Sequence, residues 1–158
     1  MYKVGAYVKL AKLWERSRDE AIEYHNRYYH EKYAGNENFS LSYVYVEITG
    51  NKNIAKRPQM LRILKACKAH EIDVIATQTK AYLAASSEEF FFLLLYLFTL
   101  PNRVDIVTED LDYNINTIQN DDHQREELLR MAKKYAEAMK PNYEEWLTKV
   151  EQAMEKLN

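Results

Sequence analysis

The sequence predicts an α/β protein: a mainly parallel sheet of at least four strands, flanked by helices in three α/β/α layers, with two further helices at the C-terminal end. Three observations predict it. Short apolar runs alternate with helical patterns at the spacing of βαβ crossovers. The run FFFLLLYLFTL, residues 90–100, is apolar nearly all round, as a helix buried against a sheet must be. After Glu109 the strand-like runs stop, and two helical segments with apolar seams follow.

Residues 2–9 carry Val4, Ala6 and Val8 on one side and read as the first strand. A long helix is expected over 12–34, where Trp14, Ala21, His25 and Tyr28 recur at helical spacing. Gly35 suits its C-terminal stop. Residues 43–48 read as the second strand, and TGNKNIAKR, 49–57, as a polar loop. Pro58 suits the first turn of the next helix, whose stripe is Met60, Leu61, Leu64 and Cys67. Residues 72–77 read as the third strand. Ser86-x-x-Glu89 fits a capping box at the start of the apolar helix, which Pro101-Asn102 ends. Residues 104–108 read as the fourth strand, and 110–120 as polar and irregular.

Leu128, Ala132, Tyr135 and Met139 then mark a helix over 121–139. Pro141 is expected to break it, because the residue before a proline is pushed out of the helical region. Asn142-x-x-Glu145 is expected to cap the last helix, which carries Tyr143, Trp146, Leu147, Val150, Met154 and Leu157 on a near-heptad stripe. The two helices could fold back as a hairpin, pack on the sheet, or pair with another subunit. The expected division is an α/β domain over 1–112 and a helical extension over 113–158.

Composition narrows the function. The chain has 158 residues, 47% hydrophobic and 29% charged, with a net charge of −2. These are the proportions of a folded globular chain, without the basic surplus of a dedicated nucleic-acid module. The single cysteine, Cys67, makes neither an internal disulfide nor a cysteine-rich metal site. The longest apolar run, 11 residues, falls short of the roughly 20 that span a bilayer. The opening residues lack the apolar core of a signal peptide. The expectation is a cytoplasmic protein with no membrane partner.

Common catalytic patterns are missing. His25 and His30 are five apart rather than the four that places two ligands on one helical face, so no metal site is expected. No glycine-rich phosphate loop is present and no cofactor is expected. The acidic pairs Glu88-Glu89, Asp121-Asp122, Glu126-Glu127 and Glu144-Glu145 sit where helices start, and the helix dipole accounts for them. The densest basic cluster is Lys52, Lys56, Arg57, Arg62, Lys65 and Lys68. A solvated helix face explains the last three; contact with a polyanion is the functional alternative.

One ordered set of segments is more specific: GAYVKLAK, then YVEITGNKNIAKRPQMLRIL, then IDVIATQTKAYLAAS, then VTEDLD. Over residues 2–112 this order resembles the N-terminal catalytic domain of serine site-specific recombinases, the resolvase–invertase family. The resemblance implies a resolvase-like α/β/α fold, DNA as partner, and association with a second copy or a related recombinase subunit through the C-terminal helices. It also implies an active site that this chain lacks. The family's first strand ends in Tyr-x-Arg-x-Ser, whose serine attacks a DNA phosphate. Here the pattern reads Tyr7-Val8-Lys9-Leu10-Ala11. The family's Asp-Arg-Leu-x-Arg-Asn falls on Ala81, Tyr82, Leu83, Ala84, Ala85 and Ser86, where only the leucine remains. Its helix glutamine falls at Ala21, and its acidic residue at Tyr45 or Glu47, ahead of Thr49-Gly50. Arg57 alone of the arginines matches cleanly.

The expectation is therefore a serine-recombinase-like domain without catalysis, serving as a binding or regulatory module. Lys9, Ala11, Ala21, Ala81, Tyr82 and Ala85 are its degenerate positions, and Tyr7, Lys9, Lys52, Lys56 and Arg57 a residual phosphate- or DNA-binding set. Ser17, Ser86 and Ser87 are weighed as displaced nucleophiles, but without arginines a serine hydroxyl lacks charge stabilisation. The alternatives are a divergent active recombinase, and an α/β module for a protein or small molecule, lined by Tyr7, Tyr45 and Tyr82.

Overall fold

The computed structural model describes residues 1–119 and 122–157. Four strands, β1 (Tyr2–Leu10), β2 (Phe39–Ile48), β3 (Val74–Thr77) and β4 (Asp105–Thr108), form one sheet in the order β2-β1-β3-β4. Every pair is parallel. Among the described residues six α-helices accompany them: α1 (Arg18–Tyr33), α2 (Pro58–Lys68), the single turn α3 (Lys80–Leu83), α4 (Ser87–Phe98), α5 (His123–Ala138) and α6 (Lys140–Glu155). This is the expected α/β architecture.

Alternation along β1 builds the layers. Val4, Ala6 and Val8 face α1, where Ala6 and Val8 pack with Tyr29, Val44 and Val46. Tyr7 faces the other way, into the main core with Met60, Ile63, Leu64, Leu93, Leu97, Ile75 and Ile106. Gly5 lies under that core: a Cβ there would stand 2.6 Å from Ile72 Cδ1, so α2 and the sheet meet over a bare backbone. Helix α4 is buried on most sides because α5 covers it away from the sheet.

The C-terminal helices do not form a free hairpin. Leu128, Ala132, Val150 and Met154 belong to the same core as the sheet residues, with α5 along α4 and α6 against α2 and the 3-10 turn Ile54–Lys56. The seam that a second subunit could have used is thus covered within the chain. The expected cap at Asn142 is also revised. Helix α6 begins at Lys140, the break is the one residue Met139 (φ −115°, ψ 39°), and Pro141 sits in the first turn. A proline there loses no hydrogen bond, since first-turn amides have no helical acceptor. Asp121, the expected start of the preceding helix, lies outside the described residues.

Other expectations were also revised. The expected long first helix is a 3-10 turn, Lys12–Ser17, followed by α1, and Trp14 is 46% exposed rather than on a core stripe. Strand β2 starts four residues early, and its register slips between Val4 and Gly5, which brings Phe39 and Leu41 onto the α1 face. The irregular segment after β4 supplies an antiparallel bridge from Asn116 to Val107. Gly35 ends α1 with φ 68°, as its position implied.

Candidate functional site

In this strand order the chain moves to one side of β1 to form β2 and to the other to form β3. The crevice past the carboxyl ends of β1 and β3 is where such sheets bind ligands. Arg57 occupies it. The residue is 1% exposed, although arginine is rarely buried without partners. Its Nη1 donates to the Tyr7 hydroxyl at 3.1 Å and to the Tyr82 carbonyl at 2.7 Å, and its Nη2 to the Leu83 carbonyl at 2.7 Å. Nε has no partner. The guanidinium also lies 5.9 Å from the Tyr7 ring centroid.

Tyr7 passes the interaction on. Its hydroxyl donates to Glu47 Oε1 at 3.2 Å, and burial raises its pKa above the ordinary tyrosine value, so it stays a donor. The same Glu47 oxygen accepts from Gln59 N at 2.9 Å and Met60 N at 3.0 Å, the free amides of α2's first turn. Glu47 is 4% exposed. Of the two acidic-position candidates, Glu47 faces Tyr7 and α2, whereas Tyr45 packs edge-on against Tyr43 at 4.8 Å. The result is a closed chain, Arg57 to Tyr7 to Glu47 to the start of α2.

The turn after β3 is pinned from β4. Asp110 Oδ1 accepts from Thr79 Oγ1 at 2.7 Å and Oδ2 from Lys80 N at 2.9 Å. Partial burial acts to raise its pKa, but these hydrogen bonds and Lys80 hold it below the usual carboxylate value. Glu109 accepts from the Tyr28 hydroxyl at 2.8 Å and pairs with Lys32, tying α1 to the same corner. The VTEDLD segment thus holds the α3 turn whose carbonyls Arg57 grips.

The positions expected to be degenerate scatter around this chain. Ala11 is exposed at the end of β1, Ala21 is buried on α1, Ala81 and Ala85 are exposed, and Tyr82 is half-buried between the two core clusters. Lys9 is half-buried; burial, then Arg57 and Lys52, lower its pKa despite an opposing pull from Glu47. Lys52 and Lys56 are exposed. The expected phosphate set is therefore split: Tyr7 and Arg57 are engaged inside the protein, and Lys9, Lys52 and Lys56 remain toward solvent. Ser86 Oγ accepts from Glu89 N at 3.2 Å, which makes it the cap of α4. Ser87 opens α4, and Ser17 precedes α1. Sequence reasoning missed the role of Glu47 and Asp110; an acidic residue at a strand end ahead of a polar loop is the signal that was there to use.

No protein-family model matches the chain, and no curated protein matches it. Solved structures do. The N-terminal catalytic domain of TP901-1 integrase aligns with a TM-score of 0.59 and 19% identity, over 88% of this chain and 97% of that one. The C-terminal catalytic domain of ISC1926 TnpA, an IS607-like serine recombinase, aligns with a TM-score of 0.51 and 16% identity, over 87% of this chain and 85% of that one. The fold is that of a serine-recombinase catalytic domain. The aligned share, 88% of this chain, is larger than the two thirds on which the sequence resemblance rests. Among the described residues no helix is long and apolar enough to cross a membrane.

Proposed function

We propose that the chain is a serine-recombinase-like domain of the DNA recombination and integration type that lacks strand-exchange chemistry and serves as a binding or regulatory module. The observation that supports this most is the crevice itself. Where a transferring phosphoryl group would need a nucleophile and free cationic donors, Ala11 carries no hydroxyl and Arg57 is bound to the Tyr82 and Leu83 carbonyls. Removing one well-placed donor costs roughly 100- to 1000-fold in rate; here the nucleophile and the donors are missing together.

The residual function is contact with a DNA backbone through Lys9, Lys52 and Lys56, with the core chain from Arg57 to Glu47 acting as scaffold. A supercoiled plasmid and a pool of candidate sites, denatured after incubation, test the loss of chemistry. The expected outcome is no nicking and no covalent protein–DNA product; a covalent product that survives denaturation overturns it. In parallel, binding to duplex DNA is expected to fall steeply with salt, and the double variant Lys52→Ala, Lys56→Ala is expected to lower the slope of log affinity against log salt by about 2. Salt-insensitive binding favours the protein- or small-molecule-binding alternative instead.

A further inference from the structure

Past the end of β1 the chain enters the turn Lys12–Ser17, in which no residue is buried. Leu13 is 73% exposed, Trp14 46%, and Tyr24 on the neighbouring helix 60%. So much apolar surface in one place is characteristic of an interaction site. Trp14 and Tyr24 stand with Leu10, Glu20, Ala21 and His25 around a cavity of about 480 Å³.

The charges around it are not all compensated. Glu15 pairs with Arg18 at 3.2 Å, and Glu23 with Arg27 at 2.9 Å. Glu20, the carboxylate that lines the cavity, has no ion pair or hydrogen bond among the described residues. Its place in the first turn of α1 suits the helix dipole, but the dipole does not explain two exposed aromatic rings beside it. Lys12 and Arg16 lie on the same turn and do not line the cavity. His25, whose Nδ1 is buried without a partner, has its pKa lowered by burial, so at neutral pH it adds no positive charge.

We propose that this cavity binds the cationic end of an arginine or lysine side chain presented by a protein partner. A guanidinium or ammonium is attracted to the face of Trp or Tyr and forms charge-assisted hydrogen bonds with a carboxylate. Its aliphatic stem lies on apolar surface such as Leu10 and Ala21. Phosphate is the wrong ligand, since it would meet the charge of Glu20. The cavity is also separate from the basic residues assigned to DNA: Leu10 packs on the α1 side of the sheet, and neighbouring strand residues point to opposite faces, which puts Lys9 on the other. The proposal does not rest on the recombinase reading.

The test titrates the full chain with a short peptide carrying two arginines, its two-lysine counterpart, and a counterpart in which citrulline replaces arginine. Calorimetry reads affinity, and the part of the Trp fluorescence change that is lost in Trp14→Ala reports on Trp14 rather than Trp146. The arginine or lysine peptide is expected to bind saturably, and the uncharged citrulline peptide roughly tenfold more weakly. Glu20→Gln is expected to weaken binding about tenfold, Trp14→Ala comparably, and Glu15→Gln less than about twofold. Circular dichroism on each variant confirms that it is folded. Equal binding of the citrulline peptide, indifference to Glu20→Gln, or no saturable binding up to millimolar peptide each overturns the proposal. So does a single-stranded oligonucleotide that displaces the peptide and binds more tightly to Glu20→Gln.

Discussion

Arg57 shows how a residue suited to one task can be tied to another. A guanidinium at a strand-end crevice reads as an anion clamp, yet its donors are aimed at two carbonyls and a tyrosine hydroxyl. That direction was not visible in sequence. Arg57-Pro58 identified the position, but the acceptors are backbone atoms of Tyr82 and Leu83, and any residues there present the same carbonyls. Breaking a buried, hydrogen-bonded charge costs several kcal/mol, because the partners are left unsatisfied. Arg57→Met is therefore expected to lower unfolding free energy by about 3 kcal/mol, measured by urea titration. Lys56→Met, exposed one residue earlier, is expected to change it by less than about 0.5 kcal/mol. Equal effects would show that the buried chain through Tyr7 and Glu47 contributes nothing to stability.

Among the elements, the ones with strong local signals came out where expected. Pro58 opens α2, Gly35 closes α1, and Ser86 caps α4. Ser86→Ala is expected to cost about 1 kcal/mol, read as a shift in the urea midpoint with unchanged slope; no shift would mean that α4 is held by packing alone. The capping box itself is only half formed. Glu89 does not return to the Ser86 amide but accepts from Ile54 N at 3.1 Å and Trp146 Nε1 at 2.8 Å. That diversion joins three elements distant in sequence, and no local pattern encodes it. The same holds for α5 and α6. Their apolar seams were legible, but a seam does not name its partner; that Leu128 and Val150 join the core with α4 and α2 residues is seen only in the structure. Trp14 failed for the opposite reason: its spacing fits a helix, but the turn that carries it is 3-10 and faces solvent.

Across the whole molecule, the buried tyrosines give a collective pH response. Burial raises Tyr45 and Tyr96 to about 12, and burial with a hydrogen bond to Glu109 does the same for Tyr28. The buried Cys67 thiol is also pushed up to about 12. Each group holds its proton more tightly folded than unfolded. Stability is then fully present below the unfolded tyrosine value of about 10 and is lost as pH rises from there toward 12; for the thiol the loss begins near about 8.5. The thermal midpoint is expected to fall steadily between pH 9 and 11.5, roughly the window set by those values. A midpoint flat across that window would mean that these groups titrate freely in the folded protein. The layered order itself was readable because short apolar runs recur four times between helical patterns. The site was readable only as departures from a resemblance, because what the crevice holds is a buried network rather than a motif.

The bridge beside β4 has a consequence for how the molecule fails. Thr108 N donates to Ile115 O at 2.8 Å and Thr117 N to Ile106 O at 3.1 Å, so that flank of the sheet is already occupied. The opposite flank, β2, is ten residues long, pairs among the described residues only with β1, and carries a single charged residue, Glu47. A damaged or crowded population would therefore add strands from the β2 side, as unprotected strand edges do.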